Sequence, residues 1–296
     1  MDEPDFSDEP NPVGPNPIAT LGVEEYIEQA HFFHLLGERL EENTPAQEVL
    51  STAREEALAT TKLPLAIDFM LSELRHSGLM SSAMRQLGHY FTEFQAYVIG
   101  EAEDERGRFD LRVGLEILRH EAEYRAGAAR ALKPPTIAGL FLYQFEVLCR
   151  NRLGYDQGLS AVAADAAYPS EWREWILGIR HQVGMVDVAD LIYVRSTLAR
   201  ERSDSSVPAP EALFGEREGK IAMANRRKDP LYLFASLHRQ LGYPQPPRHR
   251  TAKTEESLIP QMARRLEQLE KRIKLLEEEQ RGGMDLSQFY EKPPGD

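Results

Sequence analysis

The segment IAGLFLYQFEVLCRNRL, residues 137–153, decides the fold class. Its apolar side chains cover nearly the whole circumference of a helix, as expected for a helix enclosed by others. Gln144 and Glu146 interrupt it well before the roughly 18 apolar residues that a membrane span needs. A carboxylate in that setting must be paired or face a cavity, and Arg150, four residues on, is the helical partner for Glu146. Cys149 is the only cysteine in the chain, so no intrachain disulfide can form. It reads as a small buried hydrophobe.

Pro134-Pro135 separates this central helix from a preceding one over about 108–132. That helix carries two adjacent stripes, Phe109, Val113, Ile117, His120 and Tyr124 beside Leu111, Leu115, Leu118, Ala122 and Ala126. So wide an apolar arc implies more than one neighbour. His120 on the first stripe reads as a core histidine bonded to Glu116 or to a backbone carbonyl. Further upstream, Met80, Met84, Leu87, Phe91, Phe94 and Val98 recur in steps of four and three and predict a single long helix. Other helices are expected over 23–40, over 46–60 behind Thr44-Pro45, and from Pro64 to His76.

Downstream, Leu153-Gly154-Tyr155 and Leu241-Gly242-Tyr243 both read as helix ends capped by a left-handed glycine. Pro169-Ser170 opens a helix with Trp172, Trp175, Ile176 and Ile179 on one face, and Asp229-Pro230 opens another over 231–241. Residues 187–198 fit a helix slightly better than a strand.

The expected fold is therefore all-α: a multi-helix domain, a small helical segment and a C-terminal coiled-coil helix. The expected divisions are a disordered, acidic, proline-rich tail over 1–21, the main domain over 22–202 and a linker over 203–210. The small helical segment covers 211–243, a second linker 244–257, the coiled coil 258–281 and a flexible tail 282–296. In the coiled coil, Ile259, Leu266 and Ile273 fall at a, and Met262, Leu269 and Leu276 at d. β-branched residues at a with leucine at d favour two parallel strands. The same stripe could instead fold back on its own chain.

The 48 acidic side chains outnumber the 35 basic ones, giving a formal net charge of −13 that opposes nucleic-acid binding. Arg226-Arg227-Lys228 is the one basic run of note and reads as a solvated face. The acidic start Met-Asp-Glu-Pro-Asp has no secretory pattern, and the expected compartment is the cytoplasm, with no membrane partner. Glycine-rich phosphate loops, nucleophile elbows, His-Glu-x-x-His and paired cysteines are all missing.

The leading expectation is thus a non-enzymatic interaction or scaffold protein, without cofactor, that pairs with itself through the coiled coil and binds other proteins. The alternative is a helical-bundle oxidoreductase of the di-iron type using a pair of transition metals. Glu28-x-x-His31 and Glu73-x-x-His76 each put a carboxylate and an imidazole on one side of a helix, the spacing such sites use. Glu93, Glu101, Glu116, Glu121 and Glu146 are available as further ligands.

Overall fold

A computed structural model describes residues 17–41, 44–104, 109–127, 133–202 and 211–248, all within one compact unit. The six seam residues from Ile259 to Leu276, and most of the proposed N-terminal tail, lie outside the described residues.

Among the described residues there are thirteen helices and no strands, so the fold is all-α. The first five are α1 (Val23–Glu41), α2 (Ala46–Glu56), α3 (Leu63–Ser77), α4 (Met80–Gln86) and α5 (Glu93–Glu103). α6 (Leu111–Arg125), α7 (Ile137–Asn151), α8 (Tyr155–Ala163) and α9 (Ser170–Ile179) follow. The series closes with α10 (Val188–Val194), α11 (Thr197–Arg202), α12 (Glu216–Ala224) and α13 (Pro230–Leu241). No described helix is long and apolar enough to cross a membrane.

α7 is the enclosed helix that its sequence requires: every residue from Gly139 to Leu148 is buried, Gln144 and Glu146 included. α6, α8 and α13 pack around it, and α1 lies along α6. α8 comes close because residue 158 is glycine; a Cβ there would sit 2.6 Å from a methyl of Leu148. Thr136 caps the start of α7 by accepting from the Gly139 amide.

Several helix ends differ from the sequence reading. The long stripe from Met80 to Val98 belongs to two helices, α4 and α5, although all six of its apolar residues are buried. Thr92 accepts from the Gln95 amide while the Gln95 side chain accepts from the Thr92 amide, so a capping box restarts the chain there. The left-handed residue ending α7 is Arg152, at φ 56°, whereas Gly154 is extended and begins α8. Gly242 does end α13 in the left-handed region, at φ 74°. Thr44 makes no cap for α2, whose N-cap position is Pro45. Within 187–198 the chain forms α10 and, after a turn at residues 195–196, the start of α11.

Two segments join the core that the sequence divisions set apart. Ile18, within the expected tail, is fully buried. Its carbonyl accepts from Arg125 Nη1, and the Tyr26 hydroxyl accepts from the Thr20 amide two residues on. The segment after residue 210 likewise inserts Phe214 among Phe141, Trp172 and Trp175. Leu233, Phe234 and Leu237 of α13 belong to the same hydrophobic cluster as α7. The helices that would have formed a separate small segment therefore share one core with the main domain.

Candidate functional site

Glutamate four residues before arginine occurs on two neighbouring buried helices. On α6, Arg125 donates from Nε and Nη2 to Glu121 Oε1 at 3.3 and 2.9 Å, from Nη2 to Asp165 Oδ2, and from Nη1 to the Ile18 carbonyl. Gln144 of α7 also donates to Glu121 Oε1, at 2.7 Å, and accepts from the Tyr168 hydroxyl at 2.6 Å. Asp165 is held in turn by the Ala167 amide. The side chains of Arg125, Glu121 and Asp165 are all fully buried. Burial works against the charge of Arg125, but Asp165 and Glu121 outweigh it, so the guanidinium stays charged. Burial also pushes the Glu121 carboxyl up; Arg125 opposes this and Asp165 adds to it.

This has a pH consequence. The folded state holds the Glu121 proton more tightly than the unfolded chain, whose carboxyl titrates near 4.5. Its contribution to stability is fully present below that pH. It is lost as pH rises through the folded value, at no more than about 1.4 kcal/mol per pH unit. Urea unfolding of the wild type and of Glu121→Gln across this range should show the decline in the wild type only. Equal slopes would refute the assignment.

The second pair, Glu146 and Arg150 on α7, forms as its spacing predicts, through Arg150 Nε and Glu146 Oε1. Glu146 Oε2 accepts from the Tyr243 hydroxyl at 2.9 Å. Both carboxylate oxygens are thus occupied, yet the guanidinium is not: Nη1 is buried with no hydrogen-bond partner among the described residues. Arg150 lines a cleft of about 590 Å³. Cys149, Val183, Met185, Val186, Leu231 and Phe234 give it largely apolar walls, with Arg248 and the carboxylates of Asp187 and Asp229 also lining it. The Cys149 thiol is pushed by burial up to about 12, which leaves it protonated and a poor nucleophile at neutral pH.

No protein-family model, curated protein or solved structure matches this chain. The geometry alone therefore has to identify what the site can do. A cleft of this volume with apolar walls and a few polar groups has the character of a binding site.

Of the residues proposed for a metal pair, the two glutamates hold donors elsewhere in the fold and the two histidines are exposed. Glu28 Oε2 accepts from the Leu58 amide at 2.9 Å and anchors the turn after α2. Glu73 Oε1 accepts from the Ser82 hydroxyl at 3.2 Å and holds α4. His76 is exposed in the last turn of α3. His31 is exposed beside a shallow groove shared with His34, Arg119 and Glu123. Among the described residues, no group of three or more His, Cys, Asp or Glu side chains is placed to hold a metal ion.

His120 meets Arg119 rather than Glu116: the guanidinium donates to its Nε2 at 2.8 Å, while Nδ1 is buried without a partner. Burial, then Arg119, lowers its pKa, so the ring is neutral. Arg226 stacks over Tyr193 at 4.3 Å and pairs with Asp190, and Arg227 and Lys228 are exposed, in keeping with a solvated basic turn. The sequence reading missed the cleft because its lining comes from four separate stretches of chain, around residues 149–155, 183–188, 229–234 and 248. The one local signal was Glu146 with Arg150, a charged pair on an otherwise apolar helix.

Proposed function

We propose that this chain is a non-enzymatic interaction protein of the cytoplasm that acts as an oligomer and holds an amphipathic helix of a partner protein. The observation that carries the reading is a strip of exposed apolar side chains over the α9–α10 connection, α10 and α13. Met185 is 79% exposed, Val194 57% and Leu231 39%, and Val186 lines both the cleft and a second, smaller groove beside α10. Charged side chains edge it, namely Asp190, Arg195 and Arg248. An apolar centre with a polar rim is the anatomy of a protein interface, and shallow grooves are where helix faces dock.

Affinity purification of the full chain from its native host, followed by mass spectrometry, tests this by comparison with Met185→Asp/Leu231→Asp. Both positions are exposed, so the variant should fold. A partner retained by the wild type should be lost from the variant; an unchanged set of retained proteins would end the reading.

The seam over 259–276 supports self-association, with a at Ile259, Leu266 and Ile273 and d at Met262, Leu269 and Leu276. Light scattering at micromolar concentration should give twice the chain mass for the wild type and a single chain mass for Leu266→Lys/Leu269→Lys. A dimer that survives these lysines would place the association elsewhere, and a monomeric wild type would remove it. The metal-dependent oxidoreductase has no comparable observation in its favour, and elemental analysis of the purified protein measures it directly.

A further inference from the structure

The two Glu-x-x-x-Arg pairs are built alike and completed differently. Both guanidiniums are buried, that of Arg150 with only 3% of its side chain exposed, and both take the carboxylate one turn earlier on their own helix. Arg125 then gains Asp165 and the Ile18 carbonyl. Arg150 gains nothing further among the described residues: of five N–H donors, the Nε–H alone bonds, and Nη1 is buried without a partner. Unmade hydrogen bonds of a buried charged group are costly, and a guanidinium fork is shaped to take a second carboxylate.

What Arg150 faces is the apolar cleft. Glu146 does not serve it further: its other oxygen accepts from Tyr243. The two other carboxylates lining the cleft are committed to helix starts. Asp187 accepts from the Ala189 and Arg227 amides, and Asp229 accepts from the Leu231 amide. Arg248 adds a second cation to the lining. The site thus combines a cation with donors unused among the described residues, a second cation, the carboxylates of Asp187 and Asp229, and walls of Val183, Met185, Val186, Leu231 and Phe234.

We infer that this cleft binds a free aliphatic monocarboxylate, whose head group completes Arg150 as Asp165 completes Arg125 and whose chain lies along the apolar walls. The site shares Met185, Val186 and Leu231 with the protein-binding strip but needs no protein partner. Its volume is that of a small-molecule site.

Isothermal titration calorimetry on the full chain with octanoate, octan-1-ol and octylammonium, three head groups on one tail, tests the inference. Octanoate should bind about tenfold or more tighter than either the alcohol or octylammonium. Arg150→Gln should remove the octanoate advantage while keeping the affinity for octan-1-ol. Equal binding of octanoate and octan-1-ol, or unchanged octanoate affinity in Arg150→Gln, would overturn the inference while leaving the protein-binding strip intact. Absence of octanoate binding at millimolar concentration would do the same.

Should Arg150→Gln fail to fold, the exposed Met185→Glu decides. A new negative charge at the wall should weaken octanoate about tenfold and leave octylammonium no weaker. Octanoate affinity unchanged in that variant would equally overturn the proposal.

Discussion

Replacing Arg125 with leucine should lower the unfolding free energy by about 3–5 kcal/mol, the range for breaking a buried ion pair from one side. The size follows from what is left behind. Glu121 and Asp165 are both fully buried, and each has Arg125 as its cationic partner. Without it, Glu121 keeps only Gln144, and Asp165 keeps the Ala167 amide. The Ile18 carbonyl also loses the Arg125 donor, which removes one of the ties on the chain leading into α1.

A buried ion cluster is not stabilising merely because it exists, since desolvation offsets much of its attraction. The prediction accordingly has a second arm. Arg125→Leu combined with Glu121→Leu and Asp165→Asn removes the stranded charges and should cost less than Arg125→Leu alone. Urea unfolding of the three proteins at neutral pH measures both arms. A single-variant loss below about 1 kcal/mol, or a triple variant worse than the single, would show that the cluster does not hold the fold as described.

Truncating Phe214 to alanine should cost about 3–5 kcal/mol, the usual range for emptying a large aromatic site in a core. Its ring is within 5.2 and 5.4 Å of the Trp172 and Trp175 rings, centroid to centroid, and 6.4 Å from that of Phe141. Its backbone is pinned as well: the Phe214 amide donates to the Arg195 carbonyl, and its own carbonyl accepts from the Thr197 amide. The ring therefore fastens the chain just before α12 to α7 and α9. Amide exchange across 216–224 should rise in Phe214→Ala more than exchange in α6. Unchanged exchange in α12 would mean that this helix is held by its contacts with α10 and α11 instead.

Much of this molecule was legible locally. The apolar circumference of 137–148 determined a central helix, and the i, i+4 spacing determined the Glu146–Arg150 pair. Asp229-Pro230 and Gly242 marked the two ends of α13. Each of these depends on groups within one or two turns, whose relative positions follow from helix geometry. The same locality explains the errors. A stripe of period near 3.6 runs unbroken from Met80 to Val98 because both helices turn the same kind of face to one core, so only the capping box at Thr92 marked the break.

α8 went unforeseen, and α12 was not set apart within the 211–243 helical segment; they are nine residues each, too short for a clear period.

The sequence by itself determined that this chain is built of helices, which faces of the longer ones are buried, and which charges lie one turn apart. Only the tertiary structure decided that Arg125 meets Asp165 from 40 residues away and Ile18 from 107. It alone drew the chain after residue 210 into the main core and left Arg150, among the described residues, with an unpartnered Nη1 beside an apolar cleft. The reason is physical: apolar burial is non-directional, so a stripe specifies that it will be covered without specifying by what. The partner of a buried charge is set by which helices happen to pack there, and no local spacing records it.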